Sequence, residues 1–107
     1  RAFGPGVAEL LDGVRRHGSL QGAAREMAMS YSKAWTIMRN AEAIWGFPLI
    51  RRYVGGKDGG RSVLTRQAEI ILARYEQMDE ALHAMADRQF QQWFNDDELQ
   101  KLQTMEG

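Results

Sequence analysis

The sequence predicts a mainly α fold, a winged helix-turn-helix with a two-stranded wing and a long C-terminal helix. Three observations predict it. From Gly18 to Trp45, two helical patterns flank a short turn, and the small Ala23 and Ala24 sit where helices can cross closely. Two short extended runs then enclose the glycine-rich stretch Gly55 to Gly60, which is the pattern of a β-hairpin. Beyond it, apolar residues recur at spacings of three and four over nearly three heptads. At 107 residues this is one domain, or one domain with an appended element. The expected division is residues 5–64 for the winged unit, 65–94 for the long helix and 95–107 for a terminal turn and short helix.

Each element has a local cause. Pro5 suits the first turn of a helix, where its missing N–H costs nothing. Val7, Leu10, Leu11 and Val14 follow at helical spacing, and Gly18 is a C-terminal stop, giving a first helix over 5–17. A second helix starts near Ser19 to Gln21 and ends near Ala28, with Ala23, Ala24 and Met27 inward. Met29-Ser30 makes the turn, and the Ser30 hydroxyl suits an N-cap. The third helix carries Ala34, Met38, Ala41 and Trp45 as its core face, and Gly46 ends it. Pro48 blocks continuation, and Leu49 to Val54 reads as a strand that pairs with Arg61 to Leu64.

Thr65 is the next N-cap candidate. The seam that follows is Ala68, Ile71, Tyr75, Met78, Leu82 and Met85. A helix of that length outgrows the domain before it, so its far half needs a partner. A second copy of the chain, meeting at Ile71, Tyr75, Met78, Leu82 and Met85, is the favoured partner; a fold-back onto its own domain is the alternative. The seam breaks at Gln89, where Phe90, Trp93 and Phe94 cluster. Asn95 to Asp97 is a turn and possible cap, and Glu98 to Thr104 a last short helix.

Composition narrows the function. No cysteine is present, which removes disulfides, thiolate metal sites and thiol catalysis, and suits a reducing cytoplasm. No apolar run reaches the ~20 residues of a membrane span, and no signal-peptide pattern is visible. The first residue is Arg1 rather than Met, so the sequence does not fix the true N-terminus. His17 and His83 have no ligand cluster beside them, the acids are scattered, and no nucleophile is paired with a base. An enzyme, a bound metal and a cofactor are therefore not expected. Asp96-Asp97-Glu98 reads as a solvated helix start rather than a cation site. GGKDGG lacks the spacing of a phosphate loop, and a strand follows it where such a loop needs a helix.

The zero net charge conceals an asymmetry. Residues 1–66 hold eleven Lys/Arg against five acids, a net of +6, whereas residues 67–107 hold three against nine, a net of −6. A basic first part implies a polyanionic partner, against the alternative of unevenly distributed surface charge. The third helix supplies groups that can read base edges: Ser30, Tyr31, Ser32, Lys33, Thr36 and Asn40. Arg39, Arg51, Arg52, Lys57 and Arg61 suit phosphates. Trp35 is open between core packing and groove contact. Double-stranded DNA is thus the expected partner, and a winged-helix module that meets protein or RNA is the second reading.

At this point the residues resemble a known group. Gly18-Ser19, Ala23-Ala24, Ser30 and Gly46-Phe47-Pro48-Leu49 resemble the N-terminal winged helix-turn-helix of LysR-type transcriptional regulators. Ser30-Tyr31 followed by Ala34-Trp35, with Gly55-Gly56 and Gly59-Gly60 leading to Leu64-Thr65, resembles the DNA-binding domain of ModE-type molybdate-responsive regulators more closely. The likeness covers roughly residues 5–88. It implies a cytoplasmic homodimer, joined through the long helix, that binds a palindromic operator; the best-known members control genes for molybdate uptake and molybdoenzymes. Ala68 stands where the group commonly has glycine. Those regulators continue into a molybdate-binding region. Nothing in this sequence resembles an oxyanion pocket, so molybdate sensing is not carried over and no small-molecule effector is identifiable. A fragment and a stand-alone DNA-binding member both remain open.

Overall fold

The computed structural model describes residues 4–54 and 60–106. Among them the elements run α1 (Pro5–His17), α2 (Leu20–Glu26), α3 (Tyr31–Trp45), β1 (Ile50–Tyr53), β2 (Arg61–Leu64), α4 (Arg66–Trp93) and α5 (Asp96–Gln103). The fold is mainly α with one antiparallel two-stranded sheet, as the sequence predicts. The chain divides into two compact units, Arg1–Tyr75 and Glu76–Gly107.

In the first unit, α1 begins at Pro5 and stops where Gly18 turns left-handed at φ +72°, its N–H returning to the Val14 carbonyl at 2.8 Å. Leu10, Leu11 and Val14 are fully buried. Gly13 is buried with them for a different reason. A Cβ there would lie 2.6 Å from the Ala23 Cβ, so α1 and α2 cross at a point that admits only hydrogen on one side and a methyl on the other. The Ser19 hydroxyl caps α2 by accepting from the Gly22 N–H at 2.9 Å.

The end of α2 corrects the sequence reading, which carried the helix to Ala28. It stops at Glu26, with Met27 as its cap residue and Ala28 left-handed at φ +55°. The Ala28 N–H reaches the Arg25 carbonyl at 3.1 Å and the Met29 N–H reaches the Ala24 carbonyl at 3.0 Å. These two bonds form a Schellman motif around a residue type that pays a steric penalty for positive φ.

Ser30 then caps α3, its hydroxyl accepting from the Lys33 N–H at 3.1 Å, and Gly46 ends it at φ +87°. Ala34, Met38 and Ala41 are buried as expected. Trp45 is not: it is 40% exposed and tilts against Phe47 with ring centroids 6.1 Å apart. The helix extends past the edge of the core, so a position on the correct face still meets solvent.

Glu42 closes the exit from α3 by accepting the Leu49 N–H at 2.6 Å, which fixes the chain as it leaves Pro48. The strands are one residue shorter at each end of β1 than predicted, and they pair with Ile50 opposite Leu64 and Tyr53 opposite Arg61. β2 is also tied to the end of α1, because the Ser62 N–H donates to the carbonyl of the Gly18 cap at 2.8 Å. Thr65 is buried, and three of its bonds join β2 to its surroundings and open α4. Its N–H donates to Leu49, its hydroxyl donates to Pro48, and the same oxygen accepts from the Ala68 N–H, starting α4. From α4, Ala68 and Leu72 enter the core that also holds Met38 and Leu49, and Tyr75 packs against it partly buried. Leu72 was not in the predicted seam; Ile71, which was, is only partly buried.

In the second unit, the α4 residues Met78, Leu82 and Met85 are 51%, 55% and 54% exposed. The Phe90 and Phe94 rings meet tilted at 36° with centroids 5.2 Å apart, and the Trp93 indole N–H donates to Gln89 at 3.2 Å. The Asn95 side chain caps α5 by accepting from the Glu98 N–H, so α5 starts two residues before its predicted first residue. Asp96, Asp97 and Glu98 fill its first turn, where carboxylates complement the helix dipole. Among the described residues no helix is long and apolar enough to cross a membrane.

Candidate nucleic-acid interface

The site is built on α3. Because Ala34, Met38 and Ala41 face the core, Ser32, Thr36, Arg39 and Asn40 fall on the opposite side, and all four are exposed. Lys33 is exposed on the flank of this face. The turn of α2 into α3 and the Ser30 cap fix where this face begins. Two of the predicted readers also serve the helix itself. The Ser30 oxygen accepts the Lys33 N–H, which leaves its own proton for an outside acceptor. The Thr36 hydroxyl donates to the Ser32 carbonyl at 3.0 Å, which leaves the oxygen free to accept and turns its methyl to a fixed direction.

Beside the polar face runs a second ridge one turn apart along the helix: Tyr31, Trp35 and Arg39. The Tyr31 ring meets Trp35 edge-on, with centroids 6.0 Å apart and planes at 85°. Trp35 is partly buried against the core, which resolves its role in favour of packing for one part of the ring. The rest of it carries cations. The Arg39 guanidinium lies 5.5 Å from the ring centroid and that of Arg52, from β1, lies 5.9 Å from it. Sequence reasoning left Trp35 undecided because its partner on β1 is seventeen residues away and only the fold brings them together.

The wing cations do not share one side. Alternation along β1 puts Arg52 on the face of the buried Ile50, opposite the buried Ser62, and so toward α3. Arg51 lies on the other face with Tyr53 and its partner Arg61, whose guanidinium is 5.8 Å from the Tyr53 ring. Lys57 lies outside the described residues. A cleft of about 310 Å³ opens where Ser19, Gln21, Tyr31, Arg52, Gly60 and Ser62 converge. Gln21, exposed in the first turn of α2, is one of the lining residues that sequence reasoning passed over. Its signal was its place two residues after the Ser19 cap.

The charge network on α1 and α2 holds the two helices together rather than adding to this face. Arg16 grips Glu26 with two parallel bonds of 2.8 and 2.9 Å, and also reaches Asp12 at 2.8 Å. His17 Nε2 contacts the same Glu26 carboxylate. Hydrogen bonds from Arg16, then from His17, hold the Glu26 pKa down to about 2. Asp12 is likewise lowered, chiefly by Arg16 and then by Arg15.

Against known proteins, the chain is 33% identical over 73 residues to the molybdenum-pterin-binding protein MopA of Rhodobacter capsulatus, which spans 68% of this chain and 28% of that protein. It is 33% identical over 87 residues to the transcriptional regulator ModE of Haemophilus influenzae, covering 78% of this chain and 34% of that one. The chain therefore spans about a third of the length of these relatives. Among solved structures, ArgP from Mycobacterium tuberculosis matches with a TM-score of 0.59 at 22% identity, over 85% of this chain and 32% of that one, which is a likeness of fold. Residues 8–69, more than half the chain, match the family model of bacterial regulatory helix-turn-helix proteins of the lysR family, and the chain belongs to that family.

Proposed function

We propose that this chain is the DNA-reading part of a cytoplasmic transcriptional regulator and that it binds a palindromic duplex sequence-specifically as a homodimer. The observation that carries the reading is the exposed polar face of α3, Ser32, Thr36, Arg39 and Asn40, held opposite a buried face on a helix capped at both ends. In this reading Ser30, Tyr31, Ser32, Lys33, Thr36 and Asn40 meet base edges, and Arg39, Arg51, Arg52, Lys57 and Arg61 meet phosphates. Asn40 suits adenine bidentately, Lys33 suits guanine, and the Thr36 methyl suits thymine. Each phosphate neutralised steepens the salt dependence by about 0.9.

The dimer reading rests on α4. Met78, Leu82 and Met85 lie in one seam and stay more than half exposed in a single chain. Ile71 and Tyr75 border the same seam nearer the winged unit. The division we adopt is 5–64 for reading DNA, 65–94 for pairing and 95–107 as a terminal element. The relatives' names point to molybdenum; for this chain we propose duplex binding without assigning an effector.

Selection of bound duplexes from a random pool tests this reading. The expected result is an enriched palindrome whose half-sites lie about 34 Å apart or a multiple of that. Failure to enrich any duplex, with the protein folded, would remove the proposal.

A further inference from the structure

We propose that Trp35 is a positioning residue that ties the recognition helix to the wing by holding Arg39 and Arg52 on one indole ring, so that two phosphate-seeking cations are set before DNA arrives. This inference rests on the duplex-binding reading and goes beyond it, because that reading treats each arginine as an independent contact.

The ring is fixed first. Trp35 packs partly buried against the core, and Tyr31, one turn earlier, closes on it edge-to-face at 6.0 Å. An indole is the best of the aromatic faces for a cation, and a guanidinium within about 6 Å of its centroid is attracted by the ring quadrupole. Both arginines meet that limit, at 5.5 and 5.9 Å. They come from different elements. Arg39 follows Trp35 by one helical turn, whereas Arg52 reaches the ring only because Ile50 and Arg52 share the inward face of β1. Both are exposed, so their donors remain available. Among the ion pairs of the described residues, neither arginine is tied to a carboxylate.

The consequence is energetic. A free arginine loses the freedom of a long side chain when it grips a phosphate. One that already rests on a ring has lost part of it in the free protein, which is preorganisation. Two like charges are also drawn to one ring, which concentrates positive charge where a phosphate would bind. Trp35 thereby makes the contributions of Arg39 and Arg52 depend on a residue that need not touch DNA.

A double-mutant cycle on duplex affinity tests this, using a duplex recovered by the random-pool selection. Arg39→Ala and Arg52→Ala are each measured in the natural background and with Trp35→Leu. Loss of both ring contacts in Trp35→Leu is expected to weaken binding roughly tenfold. In that background each arginine substitution is expected to cost at least about threefold less than in the natural one. Trp35→Phe keeps a ring and is expected to recover most of the affinity; if the leucine variant does not fold, the arginine resonances of the natural chain carry the test. In the free protein, NMR should show the Arg39 and Arg52 side-chain Nε–H and Cδ–H resonances shifted by the ring, with the shift lost in Trp35→Leu. If the penalties simply multiply, Trp35 is a packing residue only and the inference is overturned while the duplex reading stands. Unshifted arginine resonances would overturn it as well. If no duplex binds at all although the resonances are shifted, the duplex reading fails and takes the inference with it.

Discussion

Residues Leu72 and Leu82 are the same amino acid on the same helix, and they live in different worlds. Leu72 is 2% exposed within the core cluster, whereas Leu82 is 55% exposed. The same contrast runs through the two units. In Arg1–Tyr75 nearly every apolar position of the helical pattern finds a partner within the chain. In Glu76–Gly107 the pattern continues through Met78, Leu82 and Met85 and gives way to the cluster of Phe90, Trp93 and Phe94, and all six are more than half exposed. A periodic apolar stripe therefore says that a face is made for burial; it does not say what buries it.

The largest test of that contrast is a matched pair of truncations. Leu72→Ala should lower unfolding free energy by about 2–5 kcal/mol at any protein concentration, as for a sealed core leucine. Leu82→Ala should cost little in a dilute monomer and should instead weaken self-association, read by sedimentation equilibrium. Equal, concentration-independent losses from both would erase the distinction between the regions. Within the first unit, Gly13→Ala probes how tight the packing is. Its methyl would press into Ala23, with no flexible side chain to give way, so a loss of about 1–3 kcal/mol in a denaturant melt is expected.

A smaller effect of opposite sign is expected at the turn. Ala28→Gly relieves the left-handed alanine and should raise stability by about 1 kcal/mol without changing duplex affinity. The smallest is pH-dependent. The Glu26 pKa of about 2 in the fold lies below the ordinary 4.5. The network therefore stabilises the fold above pH 4.5, and that contribution fades as pH falls from 4.5 toward 2. The melting temperature of the natural chain should drop more over that interval than that of Glu26→Gln.

The parts of the fold that were legible in the sequence are those with punctuation. Pro5 and Gly18 bracket α1, Ser30 and Gly46 bracket α3, and Thr65 opens α4, all as the sequence implies. The end of α2 was not legible because Ala28 takes a conformation that usually advertises itself with glycine. Trp45 misled because periodicity carries no information about where a core ends. Leu72 was not singled out because the heptad seam Ala68, Ile71, Tyr75 passes over it, whereas the start of α4 belongs to a compact domain in which Leu72 is buried. For the site, the exposed residues of α3 could be read from helical spacing alone. The grouping of Arg52 with Arg39, and its separation from Arg51 and Arg61, depends on how a strand lies beside a helix, and no local pattern states that.

The central claim is that the outer face of α3 reads the duplex. Joint reversal of its cations, Lys33→Glu with Arg39→Glu, measures it most directly. Both side chains are exposed, so circular dichroism should show the helices intact. Affinity for the selected duplex should fall by at least about a hundredfold. Binding that survives the double reversal would contradict the account and move the reader off α3.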